Sequence, residues 1–141
     1  MKTAVDTNIS SIIWEGGPRA PLALKMLGQA HSDGLVLVSP IAYAEMLANP
    51  NVTEQYVKNY IEDTRIILDL SLPREVWEEA GRRFRIFSAR RKQSGGGEER
   101  RLLADFIVGA HALMQANRLL TFDRRRYEKD FPELTLLDAA P

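Results

Sequence analysis

The sequence predicts an α/β fold: a central, mainly parallel, five-stranded sheet covered on both faces by helices, in one domain spanning residues 1–141. Three observations carry this. Short apolar runs such as Leu35-Val36-Leu37-Val38 have strand length and no polar alternation, as expected of strands buried on both faces. Segments with helical apolar spacing separate these runs, which is the pattern of parallel strands joined by crossover helices. Finally, a chain of 141 residues with 45% hydrophobic and 27% charged residues matches one domain of ordinary size with a real core.

The elements follow in order. Thr3 to Val5 reads as a short buried strand and Asn8 to Trp14 as a first helix, stopped by Gly16-Gly17-Pro18. Pro21 to His31 forms the next helix, closed by Asp33-Gly34, and Leu35 to Val38 is the second strand. Ser39-Pro40 then opens a helix carrying Ile41 to Leu47, because proline suits a first helical turn. That helix stops at Asn49-Pro50; Thr53 caps another running through Asp63, and Ile66 to Leu68 is a third strand. Pro73 to Arg91 is a long helix with Val76, Trp77, Ala80, Phe84 and Phe87 on one side. The run Gln93-Ser94-Gly95-Gly96-Gly97 breaks it, as a flexible joint within the domain, since neither side alone carries enough strands for a sheet. Arg100 to Asn117 is an apolar helix, Leu119 to Phe122 a fourth strand, Arg124 to Asp130 a short helix and Leu134 to Leu137 a fifth strand.

Composition narrows the chemistry. With 19 Lys+Arg against 19 Asp+Glu the net charge is zero, so any polyanion must be attracted locally. The absence of cysteine excludes disulfides and thiolate metal sites. No apolar run has membrane-spanning length and no long apolar leader follows Met1-Lys2-Thr3, so the expectation is a cytoplasmic protein without membrane contact.

Four carboxylates stand where the local pattern argues against them. Asp6 ends the first apolar run, and Asp123 ends Leu119-Leu120-Thr121-Phe122, so both sit at C-terminal strand tips, where open α/β sheets bind ligands. Glu45 is the only acid between Asp33 and Glu54, and the spacing of Ile41, Ala44, Glu45 and Ala48 puts it on a face expected to pack. Asp105 is the only acid between Arg101 and Arg118, sharing a stripe with Leu102, Val108, Gly109 and Ala112. Taken singly, each has an ordinary explanation. Asp6 and Asp123 can be helix N-caps, Glu45 can bond buried backbone, and Asp105 can pair with Arg101. Four such coincidences are harder to accept, because an ionised carboxylate among apolar groups is costly unless paired or bound to a metal. No lysine or arginine lies within either apolar stretch, whereas Mg²⁺ or Mn²⁺ takes oxygen ligands, and the lack of cysteine and scarcity of histidine disfavour zinc.

These segments resemble the PIN-domain ribonucleases, in particular the VapC-type toxins of toxin-antitoxin pairs. The matching stretches are Val5-Asp6-Thr7-Asn8, Glu45 after the second strand, Asp105-Phe106-Ile107-Val108-Gly109-Ala110-His111-Ala112, and Leu120-Thr121-Phe122-Asp123-Arg124-Arg125-Arg126-Tyr127. Tyr127 stands where many relatives have phenylalanine. The resemblance implies a three-layer α/β/α PIN fold and a catalytic, metal-binding quartet of Asp6, Glu45, Asp105 and Asp123, supported by Asn8 and Thr121. It also implies Mg²⁺, or alternatively Mn²⁺, as cofactor, RNA as substrate, a VapB-like antitoxin as partner, and a homodimer. The corresponding reaction is metal-assisted phosphodiester hydrolysis.

Substrate phosphates need local cations. Arg90, Arg91 and Lys92 before the glycines and Arg100 and Arg101 after them are the candidates, with Arg124 to Arg126 beside Asp123 as further ones. Arg82 and Arg83 read as solvating a helix face. His111, six residues from Asp105, turns away from that acid and reads as a packed or surface imidazole, and His31 reads as solvated. A rival from another class is a catalytically inactive PIN-like module that binds RNA or protein; loss of one acid would favour it, and none is lost. Receiver domains and haloacid-dehalogenase phosphatases need further acids near the first strand that Asp6-Thr7-Asn8 lacks.

Overall fold

A computed structural model describes residues 1–95 and 101–138. The chain runs β1 (Lys2–Val5), α1 (Thr7–Glu15), α2 (Ala20–Asp33), β2 (Leu35–Val38), α3 (Pro40–Leu47), α4 (Glu54–Asp63), β3 (Ile67–Leu68), α5 (Arg74–Gln93), α6 (Leu103–Gln115), β4 (Arg118–Thr121), α7 (Arg124–Glu128) and β5 (Leu136–Asp138). The five strands form one sheet in the order β3-β2-β1-β4-β5, and every neighbouring pair is parallel. The expected mainly parallel sheet is therefore wholly parallel.

The strand order fixes the layers. From β1 the chain steps outward to β2 and β3, then returns across the sheet to β4 and steps the other way to β5. Right-handed crossovers place helices of the outward steps on one face and those of the return on the other. Accordingly α1 packs with α2 and α3, while α5 packs with α6. Both faces being covered, the strands are largely apolar: Ala4, Val5, Val36, Leu37, Val38, Leu119 and Leu120 are all buried, with Thr3 and Thr121 as buried polar exceptions.

Local signals decide most element ends. The Ser39 hydroxyl accepts from Ala42 N (3.2 Å) with Pro40 in the first turn of α3, and Thr53 accepts from Tyr56 N (3.1 Å) to start α4. Some boundaries differ from the sequence expectation for identifiable reasons. The helix expected from Arg100 begins at Leu103, because Leu102 is extended (φ −101°, ψ 150°) and donates its N–H to the Asp105 carboxylate (3.2 Å). β4 ends at Thr121, since the Phe122 N–H turns to the Asn8 side chain (3.3 Å). The fifth strand starts at Leu136, because Leu134 N closes a turn onto Phe131 O (3.0 Å). On α5 the buried residues are Val76, Ala80 and Phe87, and Trp77, one position round the helix, is 45% exposed, contrary to its expected core role. Among the described residues, no helix is long and apolar enough to cross a membrane.

The return layer is fastened by aromatic rings. Phe106 of α6 meets Phe84 and Phe87 of α5 at 5.2 and 5.6 Å between centroids and Phe131 at 5.8 Å. Arg83, expected to solvate α5, instead bridges this layer. It bonds Glu79 (2.8 Å), Glu133 (3.0 and 2.5 Å) and the Asp130 carbonyl (2.8 Å), and its guanidinium covers the Phe131 ring at 4.8 Å. Gly109 makes this closeness possible. A Cβ there would lie 2.5 Å from Phe131 Cε2 and 2.6 Å from Cζ. The ring is buried and held on its other side, so Gly109→Ala is expected to cost about 1–3 kcal/mol. Urea unfolding should show a lower midpoint with unchanged slope; an unchanged midpoint would mean that the ring moves aside freely.

Candidate active site

β1 and β4 are adjacent, yet the chain leaves their C-terminal ends toward opposite faces, α1 to one and α7 to the other. This is the switch point of the sheet, where a crevice opens. Asp6 follows β1 and Asp123 lies just beyond β4, so both acids border it.

Asp6 is not a working helix cap. It occupies the N-cap position of α1 but makes no side-chain capping bond. Instead its Oδ2 accepts from the Thr121 hydroxyl (2.9 Å) and the Tyr127 hydroxyl (2.9 Å), and the residue is only 3% exposed. Among the described residues no donor bonds Oδ1. Burial pushes the Asp6 carboxyl above its ordinary range, with the Asp105 charge adding to the rise, against the opposing pull of Arg126 and the two hydroxyls. The Thr121 hydroxyl, having given its proton to Asp6, accepts from Asp123 N (2.9 Å) and Asn8 Nδ2 (3.3 Å). Asn8 and Thr121, expected as polar support, thus form one network with Asp6.

Glu45 corrects its expected placement. The packed side of α3 is Ala42 and Met46, and Glu45 is exposed, with the Thr7 hydroxyl donating to Oε1 (3.1 Å). Partial desolvation raises its pKa, Thr7 opposes the rise, and the charges of Asp6 and Asp105 add to it. These three carboxylates are therefore near enough to repel one another.

Asp105 and Asp123 share a cation that sequence reasoning did not assign to them. Arg126 Nη1 lies 3.6 Å from Asp105 Oδ1, and Arg126 Nε lies 3.3 Å from Asp123 Oδ2. Asp123 is also a helix cap, its Oδ1 accepting from Arg126 N (3.2 Å). The ordinary alternative to metal binding for Asp105 was a pair with Arg101, one turn away, but the guanidinium beside it is that of Arg126, from α7. The available signal was the spacing: three residues after an N-cap aspartate, Arg126 turns back over that cap.

The four acids offer only oxygen donors, which suits a hard divalent cation. Among the described residues, however, no group of three or more His, Cys, Asp or Glu side chains is close enough to hold one ion. The donor chemistry fits and the present spacing does not, because Arg126 stands between Asp105 and Asp123.

Of the expected phosphate contacts, Arg91, Lys92 and Arg101 line a common cleft of about 500 Å³ with Phe84, Phe87 and Leu102. Arg101 Nη2 also bonds the Arg125 carbonyl (3.3 Å). Arg90 lies 2.9 Å from Asp130 in an ion pair that ties α5 to the segment after α7. Arg124 pairs with Asp138, and Arg100 lies outside the described residues. His111 is packed, 1% exposed, with Nε2 2.9 Å from Asp69 Oδ2; burial lowers its pKa while Asp69 opposes. His31 is half-buried rather than solvated, and its Nε2 has no partner among the described residues.

A wholly parallel α/β sheet with acids bordering its switch point defines a class of α/β folds that bind ligands at that edge, and comparison narrows it. The PIN domain family profile matches residues 3–132, and the chain belongs to that family. In the structure of VapBC-1 from nontypeable Haemophilus influenzae, one chain superposes with a TM-score of 0.67 at 20% identity, over 99% of this chain and 98% of that one. In VapBC2 from Rickettsia felis, bound to a DNA fragment from its promoter, the TM-score is 0.67 at 16% identity, over 98% of both chains. These likenesses establish a shared fold. No curated protein matches the chain in sequence.

The raised carboxyls predict a pH dependence. Between its ordinary pKa and its raised value in the folded chain, Asp6 holds more proton folded than unfolded, so stability declines as pH rises through that interval. Above it the full cost of burying the charge remains. In EDTA, Asp6→Asn should therefore raise the melting temperature by a few degrees at neutral pH, with the gain vanishing below the ordinary carboxylate range. A variant melting below wild type at pH 7 would show instead that the anion is a net contributor to the fold.

Proposed function

We propose that the protein is a metal-dependent endoribonuclease that hydrolyses RNA phosphodiester bonds and acts as the toxin of a type II toxin-antitoxin pair. The observation that carries this reading is Asp6: a buried carboxylate with no capping role, oriented by two hydroxyls on Oδ2 at the sheet's switch point. Such a group costs stability, and a structural role does not explain it.

In this reading Asp6, Glu45, Asp105 and Asp123 would hold Mg²⁺ or Mn²⁺. A divalent ion bound there supplies an acidified water and positive charge against the phosphate. The chain's own groups do the positioning. Thr121 and Tyr127 fix the Asp6 carboxylate, Thr7 directs Glu45, and the Thr121 hydroxyl couples the Asp6 side chain to the Asp123 backbone. The cleft lined by Arg91, Lys92 and Arg101 gives RNA phosphates a local attraction that the neutral chain as a whole lacks. The VapBC complexes that share the fold support a VapB-like antitoxin as partner; the same reading takes the protein to be a cytoplasmic homodimer.

Purified protein should cleave RNA with Mg²⁺ or Mn²⁺ and stop in excess EDTA. Asp6→Asn and Asp105→Asn should each lose more activity than Thr121→Val, for which the roughly 10–100-fold loss typical of a ligand's supporting group is expected. Expression of wild type, but not of Asp105→Asn, should arrest growth. Undiminished cleavage in EDTA would overturn the metal reading, and RNA binding without any cleavage would leave an inactive PIN-like module.

A further inference from the structure

Among the described residues, Arg83 and Arg126 are both semi-buried arginines that bridge two acids, and they are built differently. Arg83 is fixed by short, well-aligned hydrogen bonds to Glu79, Glu133 and the Asp130 carbonyl, with an aromatic ring beneath it. Arg126 has none of this. Its Nη1 is 3.6 Å from Asp105, beyond a good hydrogen bond, and its Nε, 3.3 Å from Asp123, is misaligned and remains a buried donor with no hydrogen-bond partner. Burial works against its charge, and the groups around it, Asp105 ahead of Asp6, Tyr127 and Asp123, favour that charge. Its surroundings are those of a cation site, and its bonding is that of an occupant that can leave.

From this geometry we infer that Arg126 is an exchangeable cation of the acid cluster: it neutralises Asp105 and Asp123 when no metal is bound and competes directly with a divalent ion for them. This matches the spacing of the acids, since among the described residues no three of them converge on one point, while the guanidinium lies 3.6 Å from Asp105 and 3.3 Å from Asp123. It also accounts for the fold's tolerance of clustered acids that would otherwise repel. A competing internal cation reduces apparent metal affinity by the fraction of molecules in which it has vacated the site. Removing it should therefore strengthen metal binding while weakening the metal-free fold. An ordinary structural arginine would weaken both.

The inference rests on the acids being a divalent-cation site, and its test keeps the two apart. Mn²⁺ is titrated calorimetrically into wild type, Arg126→Gln and Arg126→Lys, with melting temperatures taken in EDTA and in saturating Mn²⁺. Arg126→Gln is expected to bind Mn²⁺ about tenfold more tightly than wild type, to melt lower in EDTA, and to gain more on adding Mn²⁺. Arg126→Lys, which keeps the charge, should stay near wild type. Equal or weaker Mn²⁺ binding by Arg126→Gln would overturn the exchange while leaving the metal site standing, and absence of binding to every variant and to wild type would overturn both. Should Arg126→Gln fail to fold, wild type decides. The Nε–H resonance of Arg126 should begin exchanging with water as Mg²⁺ stabilises the protein, and a resonance unmoved at full stabilisation would overturn the inference.

Discussion

One hydroxyl group, that of Thr121, joins the two halves of this molecule where they part. β1 and β4 pair in parallel, with Val5 opposite Leu120, and the chain then departs from them toward opposite faces. Beyond that last pair the ladder continues only through Asp6 N to Leu120 O (2.9 Å). Thr121 bridges the opening, donating to Asp6 and accepting from Asp123 N and Asn8. Each acid position depends on this closure: α1 begins from it with Thr7 reaching Glu45, and α7 begins from it with Arg126 reaching Asp105. The crevice is a consequence of strand order, and its polar lining follows from the residues that strand order brings to the rim.

How much of this was readable in the chain depends on the range of the interaction involved. β2 was legible to the residue because Gly34 and Ser39-Pro40 bound four apolar residues, and these are local signals. The positions of Asp6 and Asp123 at the switch point were legible because a strand tip can be located from an apolar run alone. Family membership was carried by four short motifs in order. Glu45 was placed on the wrong side of α3 because that helix is apolar nearly all round, so spacing cannot say which side meets the core; only packing against the sheet selects Ala42 and Met46. Arg83 was misjudged, and the Arg126–Asp105 pair missed, for another reason. Their partners lie 47 and 50 residues away for Arg83 and 21 for the Arg126–Asp105 pair, and no local pattern encodes such a meeting.

The zero net charge conceals a strong local separation. Four acids gather at the switch point, while Arg91, Lys92 and Arg101 gather in the cleft lined by the end of α5 and the start of α6. The two regions adjoin at Leu102, whose backbone bonds Asp105 and whose side chain helps line the cationic cleft. A polyanion drawn to the cleft would therefore meet the acids at its edge, and the repulsion between phosphate and carboxylate is what a cation, whether metal or guanidinium, relieves.

The contacts between β1 and β4 also set an order of events during synthesis. Lys2 N donates to Asn117 Oδ1 (2.6 Å) and Asn117 N to Lys2 O (2.8 Å), Thr3 accepts from Arg118 (2.9 Å), and Asp6 waits for Thr121 and Tyr127, partners 115 and 121 residues further on. β1 is thus completed by a strand whose Thr121 lies 115 residues beyond Asp6, a high-contact-order arrangement that favours slow closure. A nascent or prematurely ended chain holds Asp6 without its anchors and Glu45 without Asp105 and Asp123. A copy whose synthesis has not yet passed Tyr127 therefore lacks the acid cluster, which comes into existence only once the segment from Asp105 to Tyr127 has been made.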